Sequence, residues 1–189
     1  MASIRSPFDK LAGCYYLARL ADKIRLELLG QLSEDYRPYL FHRHGADTQF
    51  TKFFGLEKDE LVEAVKSSEK NDAMLANWFA QRTALDEEKQ NRWNELAVNL
   101  GKSGYPMFKT LIWAKENLMP KCSDPSIDTV FKAIEWDEGR ISRGSADFSP
   151  QQRSTPLPPE LASDQTPRAT FSGPIRFLAP IALSPRSSR

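Results

Sequence analysis

Cysteine and histidine are scarce: the 189 residues include two of each. Cys14 and Cys122 are too few for a disulfide framework, and isolated thiols fit a reducing compartment, with a single bridge as the alternative. Long apolar runs are missing. Cys14 to Leu17 and Phe177 to Leu183 fall far short of the roughly 20 residues that span a bilayer. The first residues, Met1-Ala-Ser-Ile-Arg-Ser-Pro-Phe-Asp9, lack a charged segment followed by an apolar one, so they do not read as a secretory signal. Charge of one sign is absent too. A net charge of +1 gives no reason to expect nucleic acid or an anionic membrane as partner. The chain also has no phosphate-cradling glycine loop, no His-Glu-x-x-His pair and no serine elbow. A cofactor is not expected, and an enzyme is not the favoured reading. These absences point to a cytoplasmic protein.

What is present is helical periodicity. Tyr16, Leu20, Ile24 and Leu28 recur every fourth residue and predict a helix over Leu11 to Leu29, with Gly30 as its stop. Ser6-Pro7 and Asp9 stand where that helix would start. Residues 31–46 are irregular but carry Tyr36, Pro38, Tyr39 and Phe41, so they are expected to pack on the domain. A small sheet there is the alternative to an all-α fold. Further short helices are predicted after Asp47, over Lys58 to Lys66, after Asp72 and after Asp86. Two more follow: Pro106 to Met119, with Phe108, Leu111, Ile112 and Lys115 on its stripe, and a last helix opened by Ser123-Asp124-Pro125. The fold class is therefore all-α: a single-domain bundle of about six to seven short helices over residues 5–140.

Composition changes after Arg140. Eight of the thirteen prolines lie in 141–189, with six Arg, no Lys and three acids, which gives the tail +3 and the first part −2. Such a stretch buries too little apolar area to offset its ordering entropy, and a disordered tail is predicted. Phe177 to Leu183 reads there as an apolar cluster or a short docking motif.

Few residues suggest chemistry. His42 and His44 share a face in an extended segment and are weak metal candidates, because no third ligand is spaced to join them. Cys14 sits among apolar residues, as a packed thiol would. Trp78, Trp93, Trp113 and Trp136 fall on or beside apolar stripes, so core packing is expected. The first helix is more informative. Arg19, Asp22, Lys23 and Arg25 lie on it, either as a solvated charged face or as a fixed cationic pair that receives an anion, with Asp22 orienting it.

The order of these pieces resembles a bacterial domain family of unknown function. The resemblance rests on Arg5-Ser6-Pro7, Gly13, Arg19-x-x-Asp22-Lys23-x-Arg25, and Gly30 to Asp35-Tyr36. It continues with Phe53-Phe54-Gly55-Leu56, Trp78, Trp93-Asn94, and Phe131 to Asp137-Glu138-Gly139-Arg140. It covers about 5–140 and none of the tail. The chain departs from the family's pattern at Ala12, where one glycine of a Gly-Gly pair is expected, at Ala18, where a proline is expected, and over 101–122. The resemblance implies no activity, but it raises the standing of the charged first helix.

The leading expectation is a small binding module for a protein partner or an anionic small molecule. Its candidate site combines Arg19, Asp22, Lys23 and Arg25 with Asn94, Asp137, Glu138 and Arg140. The second is an enzyme that uses Asp22 or Glu138 as acid or base beside Arg19 and Lys23. The third is a structural subunit that presents Tyr36 and Tyr39 at an interface.

Overall fold

Aromatic side chains from three helices meet at the centre of the fold. Phe50 and Phe54 come from one helix, Phe79 from a second and Trp93 from a third, and Phe50, Phe79 and Trp93 are wholly buried. Phe50 and Trp93 rings pack edge-to-face at 5.1 Å, and Phe54 and Phe79 at 4.8 Å. Each such contact is worth about 0.5–1.5 kcal/mol beyond the area it buries. This computed structural model describes residues 4–120, 122 and 124–141. The tail predicted to be disordered therefore lies outside the described residues, apart from Ile141, and so does Ser123.

Among the described residues there are seven α-helices and a two-stranded hairpin. The hairpin pairs β1 (Lys10–Leu11) with β2 (Cys14–Tyr15). The helices are α1 (Leu17–Leu28), α2 (Ala46–Phe54), α3 (Lys58–Ser67), α4 (Asp72–Thr83), α5 (Glu87–Asn99), α6 (Phe108–Asn117) and α7 (Val130–Asp137), with a 3-10 turn at Arg37–Tyr39. The mostly helical fold predicted from periodicity is the fold observed.

Among the described residues, the small sheet lies ahead of α1 rather than in 31–46. Ala12 and Gly13 both have positive φ, at 50° and 71°, which is the backbone a tight hairpin turn requires. This shortens the first helix from the predicted Leu11 start to Leu17. Tyr16 occupies its N-cap at φ 76°, and Ser6 and Asp9 form a separate turn instead of a cap. The other end follows prediction. Gly30, at φ +66°, closes α1 as its N–H reaches the Glu27 carbonyl and that of Gln31 reaches Leu26.

Other caps shift by a residue or more. Gly45, not Asp47, precedes α2, and Asn71, not Asp72, caps α4, while Asp86 caps α5 as expected. Thr129 caps α7. Pro106 lies just outside α6, whose N-cap is Met107 in the left-handed region. The predicted stripe of α6 fails: only Leu111 is buried, while Phe108 and Ile112 are about 40% exposed. Leu28 is likewise exposed. Gly101 is required where α5 ends, because a Cβ there would meet Leu111 Cδ2 at 2.8 Å and Val130 Cγ2 at 3.0 Å.

Candidate functional site

The helix that dominates the candidate site is α1, and two of its four charged candidates are inside the protein. Arg19 is 3% exposed and Lys23 is 5% exposed. A solvated charged face is thereby excluded for these two. Burying a cation is unfavourable unless it is paired and hydrogen-bonded, and both are.

Lys23 pairs with Asp47, which is itself fully buried on the first turn of α2. The Asp47 carboxylate also accepts the Tyr16 hydroxyl at 2.8 Å and the Phe41 backbone N–H at 2.9 Å. Lys23 Nζ reaches Tyr16 Oη at 3.4 Å and lies 5.5 Å from the centre of that ring. Burial lowers the Lys23 ammonium below its ordinary range, although Asp47 acts in the opposite direction. Burial also raises the Tyr16 phenol well above its usual value, helped by the Asp47 charge. The Tyr16 ring stacks on Phe131 of α7.

One helical turn earlier, Arg19 forms a two-pronged pair with Glu138, the residue that follows α7. Tyr36 Oη donates to the same carboxylate at 2.7 Å, and Arg140 closes on its other oxygen. Arg19 Nη1 also donates to the Arg5 carbonyl at 2.9 Å. Arg140 is shared between Glu138 and Glu135, and its second nitrogen donates to the Ile4 carbonyl. Burial pushes Glu138 upward, but the hydrogen bond and charge of Arg19, with Tyr36 and Arg140, outweigh it and hold the carboxyl below its ordinary range. The Tyr36 phenol is raised, first by burial and then by Glu138. Arg19 Nε is buried and makes no hydrogen bond.

A third group lies on the flank of α1 nearer solvent. Asp22 accepts Arg5 Nε and Nη2, both at 2.8 Å, together with the Arg5 backbone N–H at 3.1 Å. Arg25 and Arg5 also both pair with Asp72, at 2.9 and 2.6 Å. This alternation of signs ties the N-terminal segment, α1 and α4 together.

The structure thus joins Arg19 to Glu138 and Arg140, and Asp22 to Arg25. Lys23 lies beside the first group, with its own partner. Asp137 is half-buried at the last position of α7. Asn94 stands apart and clamps the hairpin. Its amide oxygen accepts the Tyr15 N–H and its nitrogen donates to the Gly13 carbonyl, both at 2.9 Å. Gln90 and Trp93 of α5 bind the hairpin's Ala12 and Tyr15 carbonyls in the same way. These contacts stabilise a turn that holds Ala12 at positive φ.

His42 and His44 lie with ring centres 5.9 Å apart. Among the described residues no group of three His, Cys, Asp or Glu side chains is placed to hold a metal. Asp47, the nearest acid in sequence, is committed to Tyr16, Lys23 and Phe41. Cys14 is fully buried, and burial raises its thiol to about 12, so it is no nucleophile. No helix among the described residues is long and apolar enough to cross a membrane.

Sequence reasoning missed Arg5, Tyr16, Tyr36, Asp47, Asp72 and Glu135 as members of these clusters. Tyr16 read as one more apolar position and Asp47 as a helix cap. Arg5 and Tyr36 did carry a signal, since both belong to the motifs behind the family resemblance.

Residues 1–140 match the model of the family described as domain of unknown function DUF5069, and the chain belongs to that family. No curated protein matches the chain. The family-like motifs Arg5, Arg19 to Arg25, Tyr36 and Glu138 to Arg140, spread over the length of the domain, meet around α1.

Proposed function

We propose that residues 5–140 of this family member form a cytoplasmic module that binds a small molecule through a compact anionic group. The site is the cage made by Arg19, Arg140 and Tyr36, and the tail beyond 140 is not part of it. The cytoplasmic assignment rests on the two free thiols, Cys14 and Cys122. One observation carries the reading. Donors from three distant segments converge on a single carboxylate position, and the innermost of them, Arg19, keeps a buried Nε with no acceptor. A buried ion pair adds little net stability compared with apolar packing, so an arginine held this way is better explained by recognition than by folding.

Asp22 and Glu138 have less support as general acid or base. Glu138 is held ionised, and its oxygens are taken by Arg19, Tyr36 and Arg140. Asp22 accepts three bonds from Arg5 alone. The interface reading loses Tyr36, whose hydroxyl is turned to Glu138.

Thermal unfolding of the full chain in inorganic phosphate, succinate or chloride at matched ionic strength tests the proposal. A hundredfold excess over Kd stabilises by about 2.7 kcal/mol, a rise of several degrees in Tm. The expected result is a rise in phosphate or succinate over chloride that Arg19→Gln abolishes. An anion that stabilises both proteins equally clears α1 of any binding role.

A further inference from the structure

We infer that Glu138 is an internal stand-in for the ligand, and that an external oxyanion enters the cage by displacing this side chain from Arg19. The inference rests on the anion-binding reading and adds the chemistry of the ligand and the control of its access.

Arg19 presents both terminal nitrogens to the two oxygens of Glu138. Such a fork fits any group with two oxygens on one centre, whether carboxylate or phosphoryl. Tyr36 Oη and Arg140 complete the set of donors, and all of them address oxygens rather than anything peculiar to glutamate. Besides Glu138, the ionisable groups nearby are Glu135 on Arg140 and the Tyr16, Lys23 and Asp47 cluster, whose ammonium and carboxylate neutralise each other.

Position separates the two partners. The Arg19 side chain is 4% exposed, whereas that of Glu138 is 11% exposed and Arg140 beside it 30%. Glu138 lies past the end of α7, in a turn closed by the backbone N–H groups of Glu138, Gly139 and Arg140 on the carbonyls of Ile134, Trp136 and Glu135. Gly139 follows at φ +73°, with open space where a Cβ would stand. The turn itself is thus fixed, and Glu138 leaves the cage by rotation about its own side-chain torsions toward solvent. Arg19 Nε adds a donor that Glu138 does not use.

A competing internal carboxylate lowers apparent affinity by the fraction of time it vacates the cage. If Glu138 occupies the cage nine-tenths of the time, its loss strengthens binding about tenfold. The test titrates the full chain with inorganic phosphate and, separately, with succinate, by calorimetry on wild type, Glu138→Gln and Arg19→Gln. Glu138→Gln is expected to bind at least one of the anions about tenfold or more tightly than wild type, and Arg19→Gln to bind neither. A gain confined to phosphate identifies a phosphoryl ligand, and one confined to succinate a carboxylate. Equal or weaker binding by Glu138→Gln, with wild type still binding through Arg19, overturns the stand-in role and leaves the anion site intact. No binding by any protein overturns both.

A second measurement needs no variant to fold. In wild type labelled with 13C, the Glu138 carboxyl resonance is expected to move toward the position of a free, hydrated carboxylate as the anion is added. A resonance that stays in place while the anion binds overturns displacement.

Discussion

Two buried ion pairs leave α1 one helical turn apart, and they differ in completeness. The inner pair, Lys23 with Asp47, joins two helices, with side chains 6% and 1% exposed. Its carboxylate takes three donors, and neither residue leaves a side-chain atom without a partner. The outer pair, Arg19 with Glu138, joins a helix to a turn, leaves one nitrogen unbonded and is followed by a glycine in the left-handed region. The inner pair therefore belongs to the architecture, and the outer one is the pair we propose as a site. The two carboxylates differ in access, since Asp47 is enclosed within a helix and the Glu138 side chain reaches Arg19 from the solvent side.

The largest expected effect breaks the inner pair. Asp47→Asn leaves the Lys23 ammonium buried beside a neutral partner, and about 3–5 kcal/mol of stability should be lost in urea unfolding. The double variant Lys23→Met/Asp47→Asn should recover part of that loss, because it removes both charges and keeps an amide oxygen to accept the Tyr16 hydroxyl. A loss below about 1 kcal/mol for Asp47→Asn would show the inner pair to be as dispensable as a surface contact.

The next effect is smaller and concerns the outer pair in acid. Glu138 is depressed in the folded state by Arg19, Tyr36 and Arg140 acting against burial. The unfolded carboxyl titrates at about 4.3. The stability this group adds is thus present in full above that value and is lost as pH falls through the lower, folded one. Between neutral pH and about pH 3, unfolding free energy should fall more steeply in wild type than in Glu138→Gln. Parallel curves would mean that the outer pair is not linked to folding.

The smallest effect sets the scale for the other two. Phe108→Ser or Ile112→Ser on α6 should cost no more than about 1 kcal/mol, since both side chains are about 40% exposed. A loss of several kcal/mol would show these positions to be covered.

Much of this was legible in the sequence. Helices with a clear apolar period and a glycine or acidic boundary, such as α5 after Asp86, appear where they were expected. The errors are local competitions that periodicity does not register. The hairpin at Ala12-Gly13 takes the first turns of the predicted first helix because α5 supplies four hydrogen bonds to it from residues about 80 positions away. The stripe of α6 misled because Phe108 and Ile112 fit a helical period but are only partly covered by the rest of the fold. Of the candidate residues, the structure brings Arg19, Glu138 and Arg140 together. It places Asn94 on the hairpin, and an amide beside a tryptophan reads alike in sequence whether it clamps a turn or lines a site.

The sequence by itself determined the helical class, a change of composition after Arg140, and the list of charged residues on α1. Those follow from the spacing and solvation preferences of neighbouring residues, which act over a few positions. Only the tertiary structure decided that Arg19 and Lys23 are inside, and which carboxylate each one meets. Burial and pairing depend on contacts between residues 24 and 119 positions apart in the chain, and no local pattern encodes them.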